Sequence, residues 1–161
     1  GSADTTLDVW DLRTGGRTKS LRGHGGSVLC AVADFPRGRA ISGSADSTLA
    51  LWDLSSGSCL QRLSGHRGAV CCVAADFGGG VAASGSHDGT ARLWELHEGS
   101  CVRTLSGHGQ RVSCLSVNFA ALTALTGSYD KTLRLWDLKA GELLKTLEGH
   151  DEHIICLAAC I

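Results

Sequence analysis

The sequence predicts an all-β fold built from one repeated unit, and three observations carry this prediction. The four Trp residues lie 42 positions apart, at Trp10, Trp52, Trp94 and Trp136. Gly-His pairs recur at the same spacing, and no insertion interrupts the register. Between these markers, segments such as "TLRLW" alternate with the period of two that is typical of β-strands. Self-similarity at a fixed period is the signature of a repeat architecture.

Each unit contains four short predicted strands joined by tight turns. The first strand follows the Gly-His pair and reads "SVLCAV", "AVCCVA", "RVSCLS" and "HIICLA" in successive units. The second ("RAISGS", "VAASGS", "LTALTGS") leads into an Asp-x-Thr turn, where the Asp carboxylate can accept a backbone N–H two residues on. The third ends in Trp ("TLALW", "TARLW", "TLRLW"), and the fourth ("SCLQRL", "SCVRTL", "ELLKTL") follows a Gly turn.

A four-stranded meander of this size has two apolar faces that it cannot cover alone. Radial stacking of copies covers both faces, which is the β-propeller solution. We therefore predict one domain built of four 42-residue units. Its parts are a partial blade of two strands in 1–22, three repeats in 23–64, 65–106 and 107–148, and the start of a further blade in 149–161.

Composition argues against several classes of function. Fifteen basic and 16 acidic residues give a formal net charge of −1, which provides no electrostatic footprint for nucleic acid or an anionic membrane. No apolar run approaches the roughly 20 residues of a membrane-spanning helix, and no secretory signal is recognisable. We therefore expect no nucleic-acid partner and no membrane partner. Because Met is absent even at position 1, we expect the N-terminus to be a processing, cloning or fragment boundary.

The combined motif resembles the WD-repeat family of β-propellers. Each complete unit joins Gly-His, a Ser/Thr-Gly-Ser-x-Asp turn and Trp-Asp within the about 40–45 residues of that family's repeat. Two features depart from the family pattern. One unit ends in Trp94-Glu95, and the runs "ADFPRG", "ADFGGG" and "VNFAAL" replace the usual turn after the first strand. The resemblance implies a non-catalytic scaffold that binds protein or peptide partners.

The resemblance also implies a buried, hydrogen-bonded tetrad of His, Ser/Thr, Asp and Trp in each unit. The matching residues are His24, Ser42, Asp46 and Trp52; then His66, Ser84, Asp88 and Trp94; then His108, Thr126, Asp130 and Trp136. A fourth set, His150, Asp4 and Trp10, lacks its hydroxyl. Such tetrads satisfy a buried indole N–H and a buried carboxylate, so we expect architectural roles. A Ser-His-Asp set also invites a hydrolase interpretation, which the repetition argues against.

The unfinished fourth unit leaves three arrangements open. The chain is seven residues short of four full units, and the missing stretch corresponds to 36–42. A gap as wide as one strand would separate the last predicted strand, "IICLAAC", from the first, "TTLDVW". This gap leaves two strand edges without hydrogen-bond partners. We expect a contiguous piece of a longer propeller, which in this family usually has about seven blades. The alternatives are a ring completed by oligomerisation, for example two copies around about eight blades, and an autonomous four-bladed ring.

The eight cysteines do not have the spacing of a disulfide framework or a metal site. Cys30, Cys72, Cys114 and Cys156 occupy one repeat column inside apolar strands. Equivalent positions on neighbouring sheets lie about 10 Å apart, beyond the ~7 Å between the Cα atoms of a disulfide and beyond the ligand shell of zinc. We expect free thiols, no metal, no cofactor and an intracellular location, cytoplasmic or nuclear.

Function in a repeat scaffold resides where the copies differ. The resemblance places two variable positions on one loop face, namely the residues after Gly-His and the x of the Ser-x-Asp turn. Tyr and Arg dominate binding hot spots, and both occur here, so this face is the predicted site for a protein or peptide partner. The predicted partner-binding residues are Arg67, His87, Gln110, Arg111, Tyr129, Asp151 and His153.

Two alternatives to a partner-binding scaffold remain. The exact register favours a structural or engineered module that completes its ring by oligomerisation. An enzyme or metalloprotein is disfavoured, because the sequence has no nucleophile elbow, no phosphate-binding loop and no ligand set with metal spacing. We therefore predict a protein that is not an enzyme.

Overall fold

The computed structural model of the chain describes residues 1–159, in which every regular element is a β-strand. A two-stranded sheet is followed by three four-stranded sheets, each with its strands paired antiparallel in chain order. The first two sheets contain β1 (Leu7–Asp11), β2 (Gly16–Leu21), β3 (Val28–Asp34), β4 (Arg39–Ser44), β5 (Leu49–Asp53) and β6 (Cys59–Leu63). The last two contain β7 (Val70–Asp76), β8 (Val81–Ser86), β9 (Ala91–Glu95), β10 (Ser100–Leu105), β11 (Val112–Asn118), β12 (Thr123–Ser128), β13 (Leu133–Asp137) and β14 (Glu142–Leu147). The predicted all-β class and propeller-type blades are confirmed.

The predicted Asp-x-Thr turn joins the second strand of each four-stranded sheet to the third, and it precedes β1 in the first sheet. In the second sheet, Oδ1 of Asp46 accepts the backbone N–H of Thr48 at 2.9 Å and its hydroxyl at 2.7 Å. These bonds hold the intervening Ser47 at φ 69°, in the left-handed region that L-residues seldom enter. The equivalent residues Thr5, Gly89 and Lys131 have φ values of 73°, 78° and 72°.

The unusual turn after the first strand of each complete sheet is also closed by a side chain. Oδ1 of Asp34 accepts the backbone N–H of Arg37 at 3.0 Å, and the Arg37 guanidinium pairs with the same carboxylate. The turn then needs a residue with positive φ, which is Gly38 in the first copy and Gly80 in the second. In the third copy Leu122 takes this conformation at φ 54°.

Apolar cores lie between consecutive sheets. Between the first and second sheets, Leu7 and Leu21 pack against Val28 and Trp52. Between the second and third sheets, the equivalent residues are Leu49, Leu63, Val70 and Trp94. Each Trp therefore faces the sheet that precedes its own, and the indoles of Trp52 and Trp94 have no exposed surface.

The first sheet has no preceding sheet, and its indole is in solvent. Trp10 is 55% exposed and Leu12 is 95% exposed. Because the first sheet has only two strands, part of the next sheet is uncovered as well, and Phe35 is 70% exposed. Trp10 and Phe35 line a cavity of about 190 Å³ at this end. We call the exposed surface of the first sheet that carries Trp10 and Leu12 the open face.

Hydrogen bonds join neighbouring sheets at both their inner and their outer strands. At the inner strands, the Cys71 thiol donates to the carbonyl of Val112 at 2.8 Å. At the outer strands, the Gln61 side-chain amide donates to the carbonyl of Glu98 at 3.1 Å. Both contacts cross from one sheet to the next, so they fix the angle between sheets in addition to the apolar packing.

The prediction of a last strand at "IICLAAC" is wrong over the residues that the structure describes. Residues 154–159 form no strand, and Cys160 lies outside the described residues. The segment does contact the preceding sheet, since the N–H of Ile154 donates to the carbonyl of Ser128 at 3.2 Å and the Ser113 hydroxyl donates to the Ile154 carbonyl. A β-strand needs a paired neighbour, and within residues 1–159 no strand pairs with this segment.

Candidate functional site

The four side chains of each complete tetrad meet inside the molecule. The indole N–H of Trp94 donates to Oγ of Ser84 at 2.8 Å, and Nε2 of His66 lies 2.8 Å from the same oxygen. Nδ1 of His66 lies 2.8 Å from Oδ2 of Asp88. Ser84 and Trp94 are fully buried, and the His66 ring is shielded from solvent. The result is a chain of hydrogen bonds that ties the loop before β7 to β8 and β9.

The other two complete tetrads repeat this geometry. The indole nitrogens of Trp52 and Trp136 each lie 2.8 Å from their hydroxyl oxygens, which belong to Ser42 and Thr126. The members of these sets are His24, Ser42, Asp46 and Trp52, and His108, Thr126, Asp130 and Trp136. Ser and Thr are interchangeable here because only the hydroxyl takes part.

Burial and hydrogen bonding shift the pKa values within the tetrads. Burial lowers the pKa of His66 despite the opposing effect of Asp88. Burial raises the pKa of the Asp88 carboxyl, but hydrogen bonds from the Arg67 N–H, from Thr90 and from His66 outweigh it and lower this pKa to about 2. Near pH 7 the tetrad therefore contains a neutral imidazole and a charged carboxylate.

The tetrads do not have the arrangement of a hydrolytic site. The oxygen of Ser84 is buried and already has two partners, the indole of Trp94 and the imidazole of His66. A catalytic nucleophile must reach a substrate with a free lone pair. The geometry therefore fits a structural cross-link and leaves no reacting group exposed.

The predicted fourth set is not assembled. Trp10 is exposed, and Asp4 uses its Oδ1 to accept the N–H and the hydroxyl of Thr6. His150 is also exposed and makes no hydrogen bond with Asp4 in the part of the chain that the structure describes. The prediction of a set comprising His150, Asp4 and Trp10 is therefore wrong. The physical reason is that within residues 1–159 no sheet covers Trp10, so its indole stays in solvent instead of being buried against a hydroxyl and an imidazole as in the complete sets.

A line of four side chains crosses the loop face, and we call it the rim array (His87, Arg111, Tyr129 and His153). The guanidinium carbon of Arg111 lies 3.5 Å from the centroid of the Tyr129 ring. On its other side, Nη1 of Arg111 donates to Nε2 of His87 at 3.3 Å. The ring of His153 stacks on Tyr129 with centroids 4.2 Å apart and planes 14° apart, and its Nδ1–H donates to the Tyr129 carbonyl at 2.8 Å. Residues from three successive units thus form one continuous contact.

The remaining residues predicted for partner binding lie on the same loops but outside this line. Arg67, Gln110 and Asp151 are exposed. Arg67 contributes its backbone N–H to Asp88 at 2.9 Å, and the carbonyl of Asp151 accepts the ammonium of Lys131 at 2.6 Å. Lys131 was not among the predicted residues, although the variable position inside the Asp-x-Thr turn is a signal that could have identified it.

A cavity of about 370 Å³ opens beside the rim array. His87, Arg111 and Tyr129 contribute to its wall, together with Leu29 and Ile155 from equivalent positions in two units. Leu29 is 46% exposed and Ile155 is 69% exposed. Sequence reasoning assigned both residues to strand interiors, so it missed their place in this surface.

The described cysteines form no disulfide and belong to no metal-holding group. Seven of them, all within residues 1–159, are free thiols. Burial raises the pKa of Cys30 to about 12, which disfavours its thiolate. Within the same residues the structure contains no group of three or more His, Cys, Asp or Glu side chains arranged to hold a metal ion. It also contains no helix with the length and hydropathy needed to cross a bilayer.

Comparison with protein-family models assigns the repeats. The model of the WD domain, G-beta repeat, matches residues 15–53, 57–95 and 99–137. The chain belongs to the WD-repeat family. A comparison with curated protein sequences finds no match. WD repeats form a kind of domain that serves as a protein-interaction scaffold and is generally not catalytic. In this WD-repeat chain each matched segment is offset by one strand from a sheet, so that residues 15–53 begin with β2 and end with β5.

Proposed function

We propose that this WD-repeat chain is a non-catalytic scaffold that binds a protein or peptide partner across the rim array. The observation that carries the proposal is the position of Tyr129, which lies between the Arg111 guanidinium on one side and the His153 ring on the other. This contact orders large side chains before any partner arrives. Side chains that are already ordered lose less entropy on binding, which favours affinity.

The fold itself does not require these large side chains. The first complete unit has Ala45 at the position of Tyr129 and Ser27 at the position of Arg111. Its tetrad is nevertheless intact, with the Trp52 indole donating to Ser42 at 2.8 Å. Side chains that a repeat can lack without losing its internal geometry are candidates for binding and not for folding.

The test compares partner capture by the wild type with capture by a double variant, Arg111→Ser with Tyr129→Ala. These substitutions install the residues that the first complete unit already has, so the fold is preserved. Arg13→Ala is the matched control, because Arg13 is a well exposed arginine in the turn between β1 and β2. Quantitative affinity capture from a cell lysate is expected to lose specific partners with the double variant alone. Equal recovery by all three proteins would contradict the proposal.

A second candidate role, self-association, has one observation in its favour. The open face leaves Trp10 exposed, whereas a preceding sheet covers the equivalent Trp52 and Trp94 completely. The last sheet of a second copy would present the leucine-rich surface that covers an indole elsewhere in this chain, through Leu133 and Leu147. Analytical ultracentrifugation tests this role, with the expectation that Trp10→Lys lowers the association constant. A monomer at all concentrations for both proteins would argue against it.

A further inference from the structure

The cavity beside the rim array contains a fixed positive charge without a carboxylate partner. Arg17, Arg37 and Arg39 each lie within 3.2 Å of an aspartate oxygen. In the described part of the chain, no carboxylate oxygen lies within ion-pair distance of Arg111. Its guanidinium is instead held between the Tyr129 ring and His87. Since a guanidinium cannot lose its proton in a protein, this charge is permanent.

The imidazole beside Arg111 is held in its neutral form. A guanidinium can only donate, so Nε2 of His87, 3.3 Å from Nη1, must be the unprotonated acceptor. Burial lowers the pKa of His87, and the Arg111 charge lowers it further. The other charged or titratable groups on the segments packed around His87 are Arg67 in the loop before β7, Asp88 in its own turn, the Cys71 thiol and the Tyr129 phenol. Asp88 is already engaged by His66 at 2.8 Å.

We propose that Arg111 and His87 together bind an anionic side chain of the partner, a carboxylate or a phosphate, and that His87 takes up a proton when the anion binds. The anion supplies the negative charge that this pair lacks. Once it is present, imidazolium is favoured, because both ring nitrogens can donate and one of them can join Arg111 on the anion. The bound state then has two charge-assisted donors where the free state has one.

The walls of the cavity favour an anion that belongs to a peptide. Leu29 and Ile155 are exposed apolar side chains beside the pair. A peptide with an apolar residue next to its acidic residue covers these side chains, and a free ion leaves them in water. This inference rests on the proposed function, because it specifies how the partner is anchored on the rim array.

Proton uptake fixes the sign of the pH dependence. Binding raises the pKa of His87, so affinity is highest below the pKa of the free protein and falls as pH rises through the pKa of the complex. His153 and Tyr129 contact the other end of the array, and neither touches the His87 ring through a hydrogen bond in the described structure. His87 is therefore the group whose titration reports on the anion.

The test uses three capped peptides of the sequence Gly-Ser-X-Leu-Ser-Gly, in which X is Glu, phosphoserine or Ala. Inorganic phosphate is the fourth probe. The Hε1 resonance of His87, assigned from its loss in His87→Gln, is followed by NMR during pH titrations with and without each probe. The Glu and phosphoserine peptides are expected to raise the pKa of His87, and the Ala peptide is not.

Two variants complete the design. Arg111→Ala is expected to weaken binding of the two anionic peptides by about fivefold, the scale of one partly exposed ion pair, and to abolish the pKa rise. Arg13→Ala changes a solvent-exposed arginine elsewhere and is expected to leave both readouts unchanged. Binding of the Glu peptide to wild type, whose carboxylate stays charged over this range, is expected to be tighter at pH 5.5 than at pH 7.5.

The outcomes separate this inference from the proposed function. If all three peptides shift the Tyr129 and His153 resonances equally and none raises the pKa of His87, the rim array binds peptides but the anionic anchor is wrong. If inorganic phosphate reproduces the whole effect of the phosphoserine peptide, a free anion is the ligand and the peptide assignment is wrong. If no probe changes any resonance, the anionic anchor is overturned, while partner capture by the double variant tests the proposed function independently.

Discussion

The indole N–H of Trp94 and the hydroxyl of Ser84 are 2.8 Å apart, and both groups are shut off from water. The same oxygen also holds the imidazole of His66. Removing this one hydroxyl orphans two buried polar groups in a single step. We therefore expect Ser84→Ala to destabilise the protein by about 1–3 kcal/mol in urea unfolding. Ser84→Thr keeps the hydroxyl, as Thr126 does in the next unit, and is expected to cost less. Equal losses of unfolding free energy for the two variants would show that the hydroxyl does not stabilise the protein.

The contrast between Trp94 and Trp10 gives a matched pair of substitutions in one repeat column. Trp94→Ala creates a cavity between two sheets and is expected to cost about 3–5 kcal/mol. Trp10→Ala removes an indole that is mostly in solvent and is expected to cost less than about 1 kcal/mol. Denaturation midpoints measured at one protein concentration check the difference. A loss for Trp10→Ala as large as that for Trp94→Ala would mean that the open face is covered in solution.

The tetrads predict a two-step loss of stability in acid. Burial lowers the pKa values of His66 and His108, so the stability that these neutral rings confer is complete above about pH 6.5 and falls as pH drops below it. Hydrogen bonding, acting against burial, depresses the pKa of Asp88 to about 2, so its contribution is complete above about pH 4 and disappears as pH falls towards 2.

Unfolding free energies measured from pH 8 to pH 2.5 check both steps. Asp88→Asn is expected to be less stable at neutral pH and to show a shallower loss between pH 4 and 2.5. His66→Gln is the second variant, and it is expected to reduce the slope between pH 6.5 and 5. An unchanged slope in both variants would place the acid sensitivity outside the tetrads.

The turn before β12 carries a strain that substitution can relieve. Leu122 has φ 54°, whereas glycine has the equivalent conformation at Gly38 and Gly80. A side chain in this conformation costs about 1 kcal/mol or more, and glycine avoids the cost at the expense of a more flexible unfolded chain. Leu122→Gly is therefore expected to raise stability by up to about 1 kcal/mol. The reverse change, Gly38→Leu, is the control and is expected to lower it.

Most of the fold could be predicted because the signal repeats. The period of 42 fixes the equivalence of Trp52, Trp94 and Trp136, and the Asp-x-Thr turn is a local motif whose hydrogen bonds need only neighbouring residues. The wrong prediction of a strand at residues 154–159 has a different origin. Apolar residues in a strand-like pattern become a strand only when a neighbouring strand completes the backbone hydrogen bonds, and sequence periodicity does not report whether that neighbour exists.

The rim array could be predicted as a set of positions but not as an arrangement. His87, Arg111 and Tyr129 were identified because they vary where other units have small residues. Their order in space depends on how far one sheet is rotated from the next, which no local motif encodes. The contact of 3.5 Å between Arg111 and Tyr129 joins two loops of one unit, whereas the contact of 3.3 Å with His87 crosses between units.

Each matched repeat spans the last strand of one sheet and the first three strands of the next, so whole units can be removed from the chain or added to it. A cut from 57 to 98 removes a whole period and joins Ser56 to Gly99, which like Gly57 has a left-handed φ. After the cut, β10 takes the place of β6 beside β5, and every remaining strand keeps a neighbour of the same kind. Loss or gain of one unit during gene duplication therefore changes the length of the array without exposing a backbone edge. The same property lets protein engineers exchange whole units at this junction and so change the side chains on the loop face.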